Sequence, residues 1–128
     1  MENKLNKEAI KEWIKDLRSG QYKQSTGVLK KEEGYCCLGV ACETYKKLTG
    51  RGVWENGDFV IYGIDDSYIE DRNSAVLPEV VRNFFGFKEN NPFLFFNIFN
   101  RSCTTCNDKF LYDFNLIADL IEKRFLKE

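Results

Sequence analysis

Few side chains in this 128-residue chain could do chemistry. The chain contains no histidine, which removes the commonest general base, every Ser-His or Cys-His nucleophile pair and every zinc site that uses imidazole. Neither glycine-rich phosphate loop, G-x-x-x-x-G-K-S/T or G-x-G-x-x-G, is present. We therefore expect the protein to act by binding, without a cofactor, while a small enzyme built on scattered carboxylates stays open.

The five cysteines are the next candidates. Cys103 and Cys106 have the C-x-x-C spacing of metal ligands. Two of Cys36, Cys37 and Cys42 could complete a four-thiolate zinc site with them, with Cys36 and Cys42 as the weak candidates. The alternatives are a redox pair and ordinary core residues, because Cys42 falls on an apolar helix pattern. An odd cysteine count without a secretory signal predicts reduced thiols. No metal site is predicted.

A basic loop after the first predicted helix could bind a ligand. Arg18 would hold a phosphate or carboxylate bidentately, while Tyr22 and Gln24 offer a flat face and directional hydrogen bonds. Residues on a later predicted loop, before the last helix, could join them and read a ribose or base. The predicted ligand-binding residues are Arg18, Tyr22, Lys23, Gln24, Lys30, Asn107 and Asp108. The alternative is structural: Arg18 pairs with a carboxylate, and Tyr22 and Gln24 tie the loop to the core.

Charge is distributed unevenly along a chain whose net charge is −1. Residues 1–31 carry a net +4, residues 32–79 a net −6 and residues 80–128 a net +1. The basic start could attract phosphate groups of a nucleotide or nucleic acid, or its lysines could be the solvated face of a helix. A chain this near neutrality is a poor candidate for a non-specific duplex binder.

Two further clusters have both a functional and a structural interpretation. Four acidic residues between Asp65 and Asp71 fall in a predicted loop; their spacing is not that of an EF-hand, and solvation explains them without a cation. Seven of the eleven phenylalanines lie between Phe84 and Phe99. They could stack on bases, but core packing explains them better because phenylalanine has no polar group to direct recognition.

Length and apolar patterning indicate the class of protein. One domain with a single core is expected over residues 1–128. No apolar run approaches the roughly 20 residues that a bilayer-spanning helix needs. The first residues, M-E-N-K-L-N-K-E, have no apolar signal segment. We therefore expect an intracellular protein that does not contact a membrane.

Hydrophobic periodicity predicts about four amphipathic helices. Asn6 is a competent N-cap for the first, in which Ile10, Trp13, Ile14 and Leu17 share one face. The second is apolar over so much of its circumference that we expect it at the centre of the core, with the first and last helices packed on it. The predicted helices cover Asn6–Ser19, Cys37–Thr49, Pro78–Phe85 and Asp113–Leu126.

Strand patterns are fewer, at Val28-Leu29, Asp58–Tyr62 and Phe93–Phe99. The rest of Arg51–Ala75 and all of Asn100–Lys109 are predicted as loops. Together the elements predict an α+β fold, in which the helices surround the cysteine-rich second helix beside a small, mostly antiparallel sheet. A purely helical domain is the alternative, because so few residues resemble strands.

Four motifs follow one another in the chain. They are W…LRSGxYxQxxGxL over 13–29, GYCCLGVxC over 34–42, LPEVVxxFFGF over 77–87, and Asn107-Asp108 followed by FxxIADLIE over 114–122. In this order they resemble a family of small proteins encoded by tailed phages and prophages. The acidic middle and the segment containing Cys103 and Cys106 do not share the resemblance.

The resemblance implies a phage accessory protein that acts in the host cytoplasm. The first hypothesis is counter-defence by binding, either sequestering a nucleotide-derived immune signal or blocking a host defence protein. The alternatives are a regulatory module that binds nucleic acid or a host protein through the basic N-terminal region, and a small enzyme acting on a nucleotide. The expected partner is a nucleotide-like small molecule or a host defence protein, with nucleic acid and self-association also open.

Overall fold

The computed structural model describes residues 4–63, 70–95 and 101–127, and in them helices pack against one another beside short strands. The α-helices are Lys7–Arg18 (α1), Cys37–Thr49 (α2), Glu79–Phe85 (α3) and Phe114–Ile121 (α4). Two π-helical segments flank α4, at Thr105–Lys109 (π1) and Glu122–Leu126 (π2). The strands are Lys23–Gln24 (β1), Lys30–Lys31 (β2), Gly34–Tyr35 (β3), Val53–Glu55 (β4), Asp58–Ile61 (β5), Asp71–Asn73 (β6), Phe93–Phe95 (β7) and Arg101–Ser102 (β8).

The helices begin and end where local chemistry predicts. The Asn6 side chain accepts a hydrogen bond from the Ala9 amide at the start of α1, and Asp113 accepts from the Leu116 amide at the start of α4. A left-handed glycine, Gly50, ends α2. The predicted bounds of the first three helices are therefore confirmed to within a residue, while the last helix changes to π-helical geometry at π2.

The core is centred on α2, whose residues 37–42 are all buried. Trp13 of α1 is fully buried, and its indole nitrogen donates to the Cys37 carbonyl over 3.0 Å. Its ring packs against Phe85 and Phe87 at centroid distances of 5.8 and 5.9 Å. The expectation that the last helix packs on α2 was wrong, because α4 packs mainly against α1.

The strands form three small sheets rather than one. β3 lies between β1, its parallel neighbour, and β2, its antiparallel neighbour. β5 lies between β4 and β6, and both pairs are antiparallel. β7 and β8 form an antiparallel pair with an irregular register. The described chain is one compact α+β domain, so the predicted fold class is confirmed and the purely helical alternative is excluded.

Three strand and loop predictions were wrong in detail. The strand predicted at Val28-Leu29 is displaced in the structure, where β2 begins directly after it at Lys30. The predicted loop before Ala75 contains β4 and β6, and the predicted loop before Phe110 contains β8 and π1. β2, β6 and β8 consist of polar residues, so partner strands and long-range hydrogen bonds order them where their own patterns do not.

Parts of two predictions lie outside the described residues. Asp65 and Asp66 lie there, whereas Asp71 is on β6 and its carboxylate accepts from the Val80 amide over 2.7 Å, in the first turn of α3. Residues 96–99 of the predicted apolar strand also lie there.

Candidate functional site

The basic loop and the predicted Asn107 loop come together in the structure. The Gln24 amide nitrogen donates to the Asn107 side-chain oxygen over 2.8 Å and to the Tyr112 carbonyl over 2.8 Å. This contact joins β1 to π1 and to the residues just before α4. The sequence suggested that the two loops lie close together, and the hydrogen bond between the Gln24 and Asn107 side-chain amides joins them.

Asn107 itself is fully buried and bonded on both sides of its amide. Its oxygen also accepts from the Cys37 amide over 3.2 Å. Its nitrogen donates to the Ser25 carbonyl over 2.8 Å and to the Asp108 carboxylate over 2.7 Å. Since an amide side chain has two donors and two acceptor sites, Asn107 has no hydrogen-bonding capacity left for a ligand.

Arg18 is held by carboxylates of the last helical region. Its guanidinium lies 2.6 Å from Asp119 and 3.2 Å from Glu122, with 38% of its side chain exposed. The hydrogen bond to Asp119 raises the pKa of Arg18 above its ordinary value. A phosphate at this position would have to compete with two carboxylates that already neutralise the cation.

Tyr22 and Lys30 pack against an aromatic cluster. The Tyr22 ring meets Tyr35 edge-on at 5.3 Å, and the Lys30 ammonium lies 5.3 Å from the Tyr35 ring and 5.4 Å from the Trp54 ring. Burial raises the pKa of Tyr35 to about 12. Lys23, by contrast, is exposed on β1.

Arg18, Tyr22 and Gln24 also line one shallow depression of about 230 Å³, beside Asp113 at the start of α4. The seven predicted ligand-binding residues therefore fall into three groups. Tyr22 and Lys30 pack against the aromatic cluster. Asn107, Gln24 and Asp108 hold the fold together, whereas Arg18 and Lys23 reach the surface.

The other side of Arg18 borders a larger groove, of about 520 Å³, which we call the basic groove. It lies between α1 and π2 and is lined by Lys11, Ile14, Lys15, Arg18, Ser19, Glu122 and Leu126. Three cations stand at its rim, and Ile14 and the half-buried Leu126 provide its apolar floor.

The two lysines of the basic groove are weakly paired. Lys11 lies 3.4 Å from Glu8, a pair whose side chains are 60% and 88% exposed. Lys15 lies 3.9 Å from Glu12, but Glu12 is closer to Lys47, at 2.9 Å. Exposed pairs of this kind contribute little and are easily exchanged for other partners. Sequence reasoning missed this surface, although the spacing of Lys11, Lys15 and Arg18 by four and three residues indicates one helix face.

The cysteines are all buried and unpaired. Burial raises the pKa of Cys36 to about 12 and of Cys106 to about 11. The Cys37 thiol donates to the Cys103 carbonyl over 3.3 Å. Within residues 4–63, 70–95 and 101–127, no three cysteine or acidic side chains group as metal ligands. The zinc set weighed from the sequence, Cys36, Cys42, Cys103 and Cys106, is therefore not assembled.

The fold and this surface define an α+β domain with a basic, partly apolar groove. The chain belongs to the family described as Domain of unknown function (DUF8296), whose model matches residues 5–125. Comparison with curated proteins gave no match, and neither did comparison with solved structures. Among the residues that the structure describes, no helix combines the length and apolarity needed to cross a bilayer.

Proposed function

We propose that this protein is a phage accessory protein that counters host defence by binding, and that its basic groove blocks an acidic surface of a host defence protein. The observation that carries the proposal is the groove itself, in which the weakly paired Lys11 and Lys15 stand beside the apolar floor of Ile14 and Leu126. The phage origin in this proposal is inferred from the motif resemblance alone.

The chemistry of the groove favours a protein over a phosphate ligand. An apolar floor inside a charged rim is the arrangement of a protein interface, where buried apolar contacts supply affinity and rim charges select the partner. Arg18 is already neutralised by Asp119 and Glu122, so a nucleotide phosphate gains little there. Sequestration of a nucleotide-derived signal at Arg18 is therefore the second mode, and nucleic acid binding the third.

Binding without catalysis fits the thiols as well. A nucleophilic cysteine needs a lowered pKa, whereas burial raises the pKa of Cys37 and Cys42 well above the ordinary value. With no histidine in the chain, a nearby imidazole base is also missing.

Plating efficiency on defence-active hosts tests the proposal. The wild-type protein, expressed from a plasmid, should raise phage plating on a host carrying a defence system, and Lys11→Gln/Lys15→Gln should lose most of that effect. Lys31→Gln/Lys46→Gln removes two exposed lysines elsewhere and should behave as wild type. Equal behaviour of the two double variants, or no protection against any defence system tried, would contradict the proposal.

Two binding assays separate the alternative modes. Calorimetric titration with cyclic and ADP-ribose-type nucleotides should give no heat that depends on Arg18; heat lost on Arg18→Ala would indicate sequestration instead. A salt-dependent mobility shift of DNA, lost in Lys11→Gln/Lys15→Gln, would indicate the regulatory module.

A further inference from the structure

We propose a second binding site, for a planar heteroaromatic anion of about the size of a nucleoside monophosphate, in a cavity on another side of the molecule. The cavity has a volume of about 280 Å³, close to the lower end of the range for small-molecule pockets. Its lining includes Phe87, Lys88, Glu89, Phe93, Arg124 and Phe125. We call it the phenylalanine cavity.

Rigid elements build the cavity wall. The Asn6 amide donates to the Phe85 carbonyl over 2.9 Å, and its side chain donates to the Phe84 carbonyl over 3.1 Å. The segment before α1 thus crosses the end of α3 at Gly86, where a Cβ would overlap the Lys4 carbonyl oxygen. A cavity fixed by backbone contacts is present before any ligand arrives, which lowers the entropy cost of binding.

Two half-buried aromatic rings, Phe93 and Phe125, supply flat apolar surface, and the buried Phe87 supports them from behind. Phe87 is fully buried and stacks on Phe85 at 5.5 Å with an interplanar angle of 12°. Phe125 lies 5.0 Å from Phe87, and Phe93 of β7 completes the lining. Aromatic faces of this kind stack on a planar ring whatever its identity.

The charged residues of the cavity select an anion. Lys88 is exposed at the surface, and the Arg124 guanidinium lies 5.0 Å from the Phe125 ring centroid. Two cations beside aromatic rings suit a ring that carries a phosphate or carboxylate. The Glu89 carboxylate could accept a hydrogen bond from an amine or hydroxyl of the same ligand. These requirements together describe a nucleotide-like molecule, and they do not depend on the basic groove.

Calorimetry with dissected probes tests both parts of the recognition. The probes are AMP, GMP, CMP and UMP, with adenosine for the ring alone and ribose 5-phosphate for the charge alone. At least one monophosphate should bind, and its affinity should exceed that of each fragment by about tenfold or more, because each fragment lacks either the stacking or the charge-assisted hydrogen bond.

Variants locate the binding. Lys88→Gln should weaken binding of the monophosphate by about tenfold and leave adenosine unchanged, since only the charge is lost. Two control variants should leave the affinity for the monophosphate unchanged. They are Lys23→Gln, the matched change in the basic loop, and Lys11→Gln/Lys15→Gln. Phe93→Ala should weaken binding of both adenosine and the monophosphate, because stacking on the base is lost. Phe93→Leu fills most of the same space and tests stacking if the alanine variant misfolds.

Several outcomes would overturn the site. Absence of heat with every monophosphate is one, and equal affinity for ribose 5-phosphate or adenosine is another. Loss of binding in Lys23→Gln rather than Lys88→Gln would move the ligand to the basic loop. The plating result for Lys11→Gln/Lys15→Gln is independent of all of these, so failure of one proposal leaves the other standing.

Discussion

At the level of single residues, Asn107 was predicted to bind a ligand but has a structural role. The sequence suggests Asn107 as a residue that reads a ribose or base, whereas the structure places it in the core, hydrogen-bonded to Gln24, Ser25 and Cys37. That Asn107 lies near the basic loop could be predicted, because a side-chain amide there suits either ligand binding or a structural hydrogen bond. Burial could not, since it depends on how π1 folds against α2.

Replacing Asn107 by alanine should destabilise the protein by about 3 kcal/mol, because the Cys37 amide, the Ser25 carbonyl and the Gln24 amide would each lose a buried partner. Urea denaturation followed by circular dichroism measures the loss. Asn115→Ala, at an exposed position of α4, should change stability by less than about 0.5 kcal/mol. Equal effects of the two changes would mean that the Asn107 contacts contribute nothing.

At the level of elements, α2 lies unusually close to the segment before β2. Gly39 faces Leu29, and a Cβ on Gly39 would overlap the Leu29 carbonyl oxygen. Leu29 cannot easily move away, because its amide donates to the Ser74 carbonyl over 2.7 Å and its carbonyl accepts from the Cys36 amide over 3.0 Å. The glycine at this position is therefore a packing requirement.

Gly39→Ala sets two effects against each other. Alanine gains about 1 kcal/mol of helix propensity over glycine, while overpacking against a fixed backbone costs about 1–3 kcal/mol or more. We expect the clash to dominate and the urea midpoint to fall. Gly50→Ala, a left-handed position with open space around it, should cost only about 1 kcal/mol. A stability gain in Gly39→Ala would show that α2 can separate from Leu29.

Element prediction succeeded where periodicity and caps act locally. Asn6, Gly50, Gly86 and Asp113 mark helix ends in the sequence and do so in the structure. β6 has no such local signal: its Asp-Arg-Asn sequence is polar, and pairing with β5 orders it. Arg72 strengthens that pairing through Asp58, at 2.8 Å across the two strands.

At the scale of the whole molecule, the surface could be predicted only in part. The excess of basic residues near the start is visible in the sequence. Which of them form a groove depends on π2 packing beside α1, a contact between residues about a hundred positions apart. Core packing was expected for the phenylalanine run between 84 and 99, and among its described members Phe85 and Phe87 are buried while Phe84 and Phe93 are half-buried. The cavity beside Phe87 could not be predicted, because it forms where the segment before α1 crosses the end of α3 at Gly86.

The buried thiols make the stability of the whole molecule depend on pH in the alkaline range. Burial raises the pKa of Cys36 to about 12 and of Cys106 to about 11, from an ordinary value of 9.0. Below about pH 9 these groups are protonated in both states, and their contribution is complete. Above it the unfolded chain releases protons that the folded chain retains, so stability falls as pH rises towards the folded pKa values.

The urea midpoint should therefore stay level from pH 7 to about 8.5 and decline by pH 10.5. Cys36→Ala removes one of the raised pKa values, so its decline should be shallower even though its stability at pH 7 is lower. A thiol reagent at pH 8 should modify none of the five cysteines quickly in the folded protein and all of them in guanidinium. Fast modification of folded protein, or parallel declines for wild type and Cys36→Ala, would mean that the thiols are accessible to water and do not stabilise the fold.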